Sequence, residues 1–219
     1  VQRAVRELDG RSVILKSLAT VSPSEEQRQR FLFSCEIAKQ FNHPNIMKVI
    51  DCIEQDNGSQ DNGSQDSGSQ DNGSQDNGSQ DNGSPVLVVE DHQSMDLRQY
   101  VERYPDHQMP LVQFLPLAIQ LADALSVIHH AQVIHKDLHP GNIVINPETG
   151  LVQVIDFGLA SLLTREQPML APPEKLEGIL AYISPEQTGR MNRSLDYRTD
   201  FYTLGVMFYE LLTGWLPFA

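Results

Sequence analysis

The sequence predicts an α+β fold in two unequal parts, a small β-rich part with one helix followed by a larger, mostly helical part. Two observations carry this prediction. Before residue 91 the chain consists mainly of short, alternating apolar runs separated by turn residues. Beyond that point, apolar residues recur at helical spacing over two long segments. A length of 219 residues suits one or two domains with a sizeable core.

The first part opens with a predicted β-hairpin. Residues 3–8 and 11–18 alternate like strands, and Asp9-Gly10 between them suits the positive φ angles of a tight turn. Two further strands are predicted over residues 46–53 and 86–90, where apolar residues are again concentrated.

One helix is predicted between these strand pairs. Ser22 is expected to be its N-cap, with Pro23 at the first helical position and Glu25 completing a capping box. The helix is expected to continue to about residue 40. It is the single helix of the β-rich part.

Residues 55–84 are six near-copies of the pentapeptide Gln-Asp-Asn-Gly-Ser, with Ser67 as the one deviation. Every position is polar or Gly, so nothing there can be buried to offset the entropy cost of ordering, and a solvated, disordered loop is predicted. Calcium binding is the alternative, but these Asp residues recur every five positions, unlike the alternating ligands of an EF-hand loop. The repeat holds six of the acidic residues behind the net charge of −13.

The second part contains helices and one more strand pair. Residues 95–104 are predicted as a short helix, and residues 111–130 as a longer core helix because apolar side chains recur there at helical spacing. Residues 142–146 and 151–155 alternate like strands around a Pro-Glu-Thr-Gly turn. Residues 199–213 form the last predicted helix.

Charge and cysteine content exclude several classes of partner. The balance of 29 Asp+Glu against 16 Lys+Arg argues against a nucleic-acid or anionic-membrane surface, because both need a basic face. No uninterrupted apolar run reaches the roughly 18 residues that span a bilayer. Cys35 and Cys52 do not make a disulfide framework, so a reducing, cytoplasmic setting is expected. A chain that begins at Val1 without Met and ends at Ala219, just after a helix-like run, is expected to be a fragment.

Two short motifs carry the chemistry. Residues 135–142 are His-Lys-Asp-Leu-His-Pro-Gly-Asn, and Asp156-Phe157-Gly158 begins fourteen residues after the Asn. The predicted hairpin between them brings two acids and an amide together, a pattern typical of a divalent-cation and general-base site. Mg²⁺ prefers carboxylate and carbonyl oxygens plus substrate phosphates, and Asn142 with Asp156 can supply such ligands. Asp137 could then orient an attacking hydroxyl.

On these motifs the sequence resembles the eukaryotic-like protein kinase family over essentially its whole length. Val13-Ile14-Leu15-Lys16 is similar to the strand with the phosphate-binding Lys, and residues 135–142 are similar to the catalytic loop. Asp156-Phe157-Gly158 resembles the metal-binding tripeptide, and Ser184-Pro185-Glu186 resembles the end of the activation segment. Asp200 resembles the helix residue that holds the backbone of the catalytic loop.

The resemblance implies a protein-kinase-like bilobal fold. The small N-lobe would span residues 1–90, with the repeat as an insertion, and the larger C-lobe would span residues 91–219. The Gly-rich phosphate loop and the last helices of the family have no counterpart between Val1 and Ala219. The resemblance therefore implies a domain truncated at both ends.

The resemblance also implies a reaction, in which the γ-phosphate of ATP passes to a hydroxyl of a protein substrate. By this resemblance Lys16 grips the α- and β-phosphates and Asp137 is the catalytic base. Asn142 and Asp156 would hold Mg²⁺, so the implied cofactors are ATP and Mg²⁺.

The adenine would lie at the junction of the two lobes. The resemblance makes Val89 the gatekeeper beside the adenine ring. The backbones of Glu90 and His92 would form the hinge that hydrogen-bonds the adenine edge. The side chains of these two residues would contribute little to adenine binding.

Residues 181–195 carry a longer string that includes Ser-Pro-Glu-Gln-Thr-Gly-Arg-Met-Asn-Arg-Ser. This string is most similar to the N-terminal kinase module of bacterial, cyanobacterial-type multi-sensor hybrid kinases. The resemblance implies sensor and histidine-kinase domains in the same parent chain, and thus a place in two-component signal transduction.

The chain departs from the family pattern at several positions. Ser34 stands where the family has the helix Glu that pairs with the strand Lys, and Glu36 would reach that Lys only from a shifted helix. Lys136 replaces an Arg, so a phosphate on the activation segment would meet a point charge in place of a bidentate fork. His139 and Ile179 stand where a Lys and a Thr usually assist the transfer.

Two alternatives to a protein kinase follow from these residues. The departures favour a pseudokinase that acts as a regulatory domain, while the intact acids of the site oppose it. The second alternative is a small-molecule kinase of the aminoglycoside-phosphotransferase kind, because the Asp-Leu-His-Pro-Gly-Asn run of residues 137–142 also resembles a motif of those enzymes. Those enzymes lack the activation segment that residues 178–186 match.

Overall fold

The computed structural model describes residues 2–18, 23–53, 84–165, 179–189 and 194–218. Within these ranges a β-sheet part precedes a mostly helical part, so the predicted α+β class is confirmed. The prediction for the pentapeptide repeat falls almost wholly outside the described residues and stays a prediction.

A four-stranded antiparallel sheet in the order β1-β2-β4-β3 forms the first part. Its strands are Gln2–Val5 (β1), Ser12–Ser17 (β2), Val49–Ile53 (β3) and Val86–Glu90 (β4). The predicted hairpin of β1 and β2 is confirmed, although both strands are shorter than expected. One face of the sheet packs on a buried cluster that joins it to the first helix, with Phe31, Cys35, Met47, Leu87 and Val89.

Helix α1, Glu25–Lys39, begins later than predicted. Its N-cap is Ser24, whose hydroxyl accepts the N–H of Gln27 while the Gln27 side chain accepts the N–H of Ser24. The prediction of Ser22 as N-cap is therefore wrong, and Ser22 itself lies outside the described residues. Both serines stand three residues before a capping-box partner, and the later one places two acidic residues in the first turn, where the helix dipole favours them.

Within its described residues, the second part is built around three α-helices and several short strands. The helices are Leu97–Val101 (α2), Leu111–His130 (α3) and Arg198–Thr213 (α4). The strands are Met95–Asp96 (β5), Val133–Ile134 (β6), Ile143–Ile145 (β7), Val152–Val154 (β8) and Ser161–Leu162 (β9). The predicted helix over residues 95–104 is partly wrong, because its first two residues pair with β7 and Asp96 then caps the shorter helix α2.

Helix α3 is the centre of the second part and has the predicted bounds. Leu117, Leu121 and Leu125 are nearly fully buried in the main core cluster, which also includes residues of α4 and of the β7–β8 hairpin. By length and composition alone α3 could cross a membrane. The residues that α3 buries in the core explain part of its apolar composition.

The β7–β8 hairpin positions the two chemical motifs. β7 pairs antiparallel with β8 in the register Ile143↔Val154. Asn142 precedes β7 and Asp156 follows β8, so the hairpin brings them to the same end. The expected convergence of the two motifs is therefore found. The hairpin is joined to the first part just before β3, where the Met47 N–H donates to the Val154 carbonyl at 2.9 Å.

Gly214, which ends helix α4, is expected to be intolerant of a side chain. Its φ is +76°, and a Cβ there would lie 2.1 Å from the backbone oxygen of Asp106. Gly150, in the β7–β8 turn, has a similar φ of +72° but open space around its Cβ position. We expect Gly150→Ala to lower the free energy of unfolding by about 1 kcal/mol, and Gly214→Ala by about 3 kcal/mol because the clash adds to the backbone cost. Urea unfolding measures both, and equal losses would contradict the clash.

Candidate active site

The catalytic-loop region begins where β6 ends. Lys136 has a φ of +67°, which turns the chain sharply after the strand. Asp200 on α4 is fully buried, and its carboxylate accepts the N–H groups of His135 at 2.9 Å and Lys136 at 2.7 Å. The same carboxylate contacts Nε2 of His129 at 2.8 Å. Asp200 thus holds the backbone of the loop, as the resemblance implied.

Asp137 and Asn142 lie side by side in this loop. The Nδ2 group of Asn142 donates to the Asp137 carbonyl at 2.9 Å and to the Asp137 carboxylate oxygen Oδ2 at 3.0 Å. Asn142 is buried in the short 3₁₀ turn Pro140–Asn142, which fixes its amide. Asp137 is half-buried, so its carboxylate is held on one side and remains accessible on the other.

Lys16 and Asp156 are also brought together, across a sequence separation of 140 residues. The Lys16 ammonium on β2 forms an ion pair with Oδ2 of Asp156. The N–H of Gly158 donates to Oδ1 of the same carboxylate at 2.9 Å. Phe157 between them is buried and stacks on Phe41, with ring centroids 5.2 Å apart. Lys16 and the Asp156 carboxylate therefore neutralise each other in this state.

Helix α1 contributes no acid to the Lys16 ammonium. Ser34, the position where the family has its Glu, lines the same cavity as Lys16, and its hydroxyl donates to the Phe31 carbonyl at 2.7 Å. Glu36 is exposed, as expected for a solvated helix acid. Arg30, one turn before Ser34, donates from Nε to the Gly158 carbonyl at 3.3 Å, so the helix contacts the Asp156-Phe157-Gly158 turn through a cation.

A cavity of about 350 Å³ lies between the sheet, helix α1 and the Asp156-Phe157-Gly158 turn. Lys16, Val89 and Asp156 are part of its lining, and its volume is in the usual range for small-molecule pockets. Glu90 and His92 lie beyond Val89 and outside this lining. The Glu90 N–H donates to the Lys48 carbonyl at 3.2 Å, and the His92 carbonyl accepts from Asn146 Nδ2 at 2.7 Å.

The donor set between the motifs suits Mg²⁺. Because Nδ2 of Asn142 faces Asp137, its carbonyl oxygen is left as an acceptor, and Asp156 presents a carboxylate. Across the ranges with a described structure, no group of three or more His, Cys, Asp or Glu side chains could hold a metal ion by itself. Mg²⁺ does not need such a group, because it is commonly bound through one or two carboxylates plus substrate phosphates.

His139 lies against Asp137 where the family usually has a Lys. Its Nδ1 accepts the Gly141 N–H at 3.0 Å, and its Nε2 lies 3.8 Å from Oδ2 of Asp137. Burial lowers the pKa of His139, although the Asp137 charge opposes that shift. The imidazole is therefore neutral at pH 7 and offers an N–H group without a full charge. Ile179 supplies no polar group at its position.

The buried histidines predict an acid-sensitive fold. Burial lowers the pKa of both His135 and His139 below the usual 6.5, so the unfolded chain takes up these protons more readily. The free energy of unfolding is thus expected to be fully retained above about pH 6.5 and to fall as the pH drops from there toward the lower folded-state pKa values. Urea titrations at about pH 7.5 and about pH 5.5 measure the loss. His139→Gln should lose less between the two pH values than the parent chain; an equal loss would contradict the prediction.

The end of the activation-segment region packs on the catalytic loop and on α4. Thr199 is buried and donates to the Glu186 carboxylate at 3.0 Å, so Glu186 has a partner within the described residues. The hydroxyl of Tyr182 donates to the Glu210 carboxylate, and burial followed by this bond raises the pKa of Tyr182. Gln187 donates from Nε2 to the Lys136 carbonyl at 2.9 Å.

Three features of the site were not predicted: Gln187, Arg30 and the contact between Lys16 and Asp156. A signal for Gln187 was present, because Ser184 stands three residues before it in the capping-box pattern. No local signal identifies the partner of Lys16 or Arg30, since each contact joins segments more than 100 residues apart.

A β-rich lobe, a helical lobe and a Lys-Asp-Asn-Asp site at their junction define a protein kinase domain. The model of the protein kinase domain family matches residues 1–219, and the chain belongs to this family. It is 32% identical over 213 residues to serine/threonine-protein kinase pkn3 of Myxococcus xanthus, covering 94% of this chain and 34% of that protein. It is 30% identical over 189 residues to serine/threonine-protein kinase PknB of Mycobacterium leprae, covering 86% of this chain and 26% of that protein.

These comparisons confirm the predicted class, a protein serine/threonine kinase domain of the eukaryotic-like kind. They do not favour the pseudokinase alternative. The chain spans about a third of the length of the curated relatives that it matches.

Proposed function

We propose that the protein transfers the γ-phosphate of ATP to a serine or threonine hydroxyl of a protein substrate. The observation that carries the proposal is the convergence of Asp137, Asn142, Asp156 and Lys16 at the junction of the two lobes. Phosphoryl transfer requires mostly positioning and electrostatic stabilisation, and these four side chains supply both.

Asp137 is proposed to accept the proton of the substrate hydroxyl. Its Oδ2 accepts an N–H of Asn142, which orients the carboxylate and leaves Oδ1 available for a proton. His139 lies on the Oδ2 side as a neutral N–H group and is suited to hydrogen-bond, not to neutralise, the transferring phosphate. We expect this to make the enzyme slower than relatives with a Lys at that position.

Lys16 and Asp156 are proposed to act on the phosphates of the nucleotide. Lys16 would leave Asp156 for the α- and β-phosphates, and Asp156 with the Asn142 carbonyl would hold Mg²⁺. When bound, Mg²⁺ supplies charge neutralisation of the β- and γ-phosphate oxygens. The adenine is proposed to lie beside Val89, hydrogen-bonded by the backbones of Glu90 and His92.

The setting of this domain in its parent chain is also a proposal. The similarity of residues 181–195 to multi-sensor hybrid kinases supports sensor and histidine-kinase domains in the same chain and a role in signal transduction. A reducing, cytoplasmic setting is also proposed, because two cysteines are too few for a disulfide framework.

The test is transfer of radiolabelled γ-phosphate from ATP by the full-length protein to casein, to a tyrosine peptide and to kanamycin, with Mg²⁺ and with excess EDTA. We expect label in casein, as phosphoserine and phosphothreonine, and loss of transfer in EDTA. Label in kanamycin and not in casein would favour a small-molecule kinase. Absence of transfer to every acceptor, with ATP still bound, would favour the pseudokinase.

A further inference from the structure

Lys136 occupies a constrained position directly before the proposed base. Its φ of +67° is a left-handed conformation that a residue other than glycine adopts at a cost. Such a conformation persists when the surrounding structure fixes it from several sides. Both backbone polar groups of Lys136 are fixed: its N–H donates to Asp200 at 2.7 Å, and its carbonyl accepts from Gln187 at 2.9 Å.

The amide of Gln187 is used at both ends. Its oxygen accepts the N–H of Ser184 at 3.0 Å, while its nitrogen donates to the Lys136 carbonyl, 51 residues away in sequence. Ser184 is fully buried at the start of the 3₁₀ turn Pro185–Thr188, so this end of the amide is well anchored. Because the oxygen can only accept and the nitrogen can only donate, the two bonds define one orientation of the side chain.

We propose that Gln187 is a positioning residue for phosphoryl transfer. It holds the peptide group between Lys136 and Asp137 and thereby sets the direction of the Asp137 carboxylate. Gln187 does not touch the reacting groups and acts through the Lys136 carbonyl. The inference rests on the proposed function, since the direction of Asp137 matters for a hydroxyl that it must deprotonate.

The hydrogen bond from Gln187 acts on the backbone carbonyl and does not depend on the side chain at position 136. An Arg at this position could be oriented by a bidentate phosphate contact, whereas Lys136 offers a point charge on a flexible stem. Asp200 accepts the N–H and Gln187 donates to the carbonyl of this one residue. The turn that carries Gln187 is thus connected to Asp137 through the backbone of a single residue, Lys136.

Gln187→Glu separates this role from a purely structural one. A Glu keeps an oxygen for the Ser184 N–H, and Glu serves as well as Gln in a capping box, so the turn should be preserved. It has no N–H for the Lys136 carbonyl. Gln108→Glu is the matched control, because Gln108 donates from Nε2 to the Thr213 carbonyl at 3.2 Å, away from the catalytic loop.

In the full-length protein we expect Gln187→Glu to lower kcat about tenfold and to leave the KM for ATP within about twofold. We expect Gln108→Glu to leave both constants unchanged. Amide hydrogen exchange of residues 136–139 should be faster in Gln187→Glu than in Gln108→Glu, since the backbone of Lys136 loses one of its two hydrogen bonds.

The outcomes distinguish the inference from the proposed function. If the wild type transfers phosphate and the kcat of Gln187→Glu equals that of the control, the inference is overturned and the proposed function stands. If the wild type does not transfer, the proposed function is overturned, and the exchange rates then decide: faster exchange in Gln187→Glu supports the hold on the loop, and equal rates overturn it.

Discussion

Replacing Asp137 by Asn is expected to lower kcat for phosphoryl transfer about 10³-fold while leaving the Kd for ATP within about twofold. An Asn at this position can still accept the Asn142 N–H through its carbonyl oxygen, so the geometry of the loop is retained. The loss is confined to the oxygen that would take the proton of the hydroxyl. Asp137 does not line the cavity beside Lys16, which is why nucleotide affinity should change little.

Asp123→Asn is the matched control for this prediction. The Asp123 side chain is largely exposed on α3. Its carboxylate lies 3.3 Å from Nε2 of His43, which is not part of the candidate site. We expect it to leave kcat unchanged. Steady-state rates with saturating ATP and a protein acceptor measure both variants, and a 137 variant that kept more than a tenth of the wild-type rate would contradict the role of general base.

Asp200→Asn is expected to lower the free energy of unfolding by about 3 kcal/mol and kcat at least tenfold. The Asp200 carboxylate is fully buried and accepts the N–H groups of His135 and Lys136 while it contacts Nε2 of His129. An Asn offers one accepting oxygen, and its NH₂ group would face a donor. At least one buried N–H therefore loses its acceptor, and the loop that carries Asp137 loses a hold.

Asp106→Asn controls for the change of charge. Asp106 is exposed and has a φ of 52°, a conformation that Asn tolerates as well as Asp. Urea unfolding and kcat should both stay near the wild-type values in this variant. If Asp200→Asn unfolded at the same urea concentration as Asp106→Asn, the buried carboxylate would have no net structural role.

The elements that were predicted best are those with a strong local pattern. Helix α3 and strand β4 have the predicted bounds, because a long apolar stripe and a short apolar run between turn residues each allow few alternatives. The errors fall where two local patterns compete. Two serines near the start of α1 satisfy the capping-box pattern, and Met95–Asp96 joins a strand because β7 offers a partner that helical spacing does not reveal.

Much of the candidate site was predictable because its chemistry is concentrated in two short motifs on one hairpin. Asn142 and Asp156 converge for that reason, and the local turn brings Asp137 to Asn142. The partner of Lys16 and the contact of the Lys136 carbonyl with Gln187 could not be predicted. Glu36 is the acid of α1 that a shifted helix would bring to Lys16, whereas the ammonium pairs with Asp156. Such pairs depend on how the two lobes pack, which spacing along the chain does not encode.

The ion pair between Lys16 and Asp156 also bears on the order in which the domain acquires activity during synthesis. Its two ends are 140 residues apart, and the catalytic loop is held by Asp200, which follows His135 by 65 residues. Contacts of this length form late, because the entropy of closing a long loop must be offset before they contribute. A ribosome-bound chain that ends before Asp200 lacks the hold on its catalytic loop. Phosphoryl transfer is therefore expected only after helix α4 has left the ribosome, so that an unfinished chain has no kinase activity.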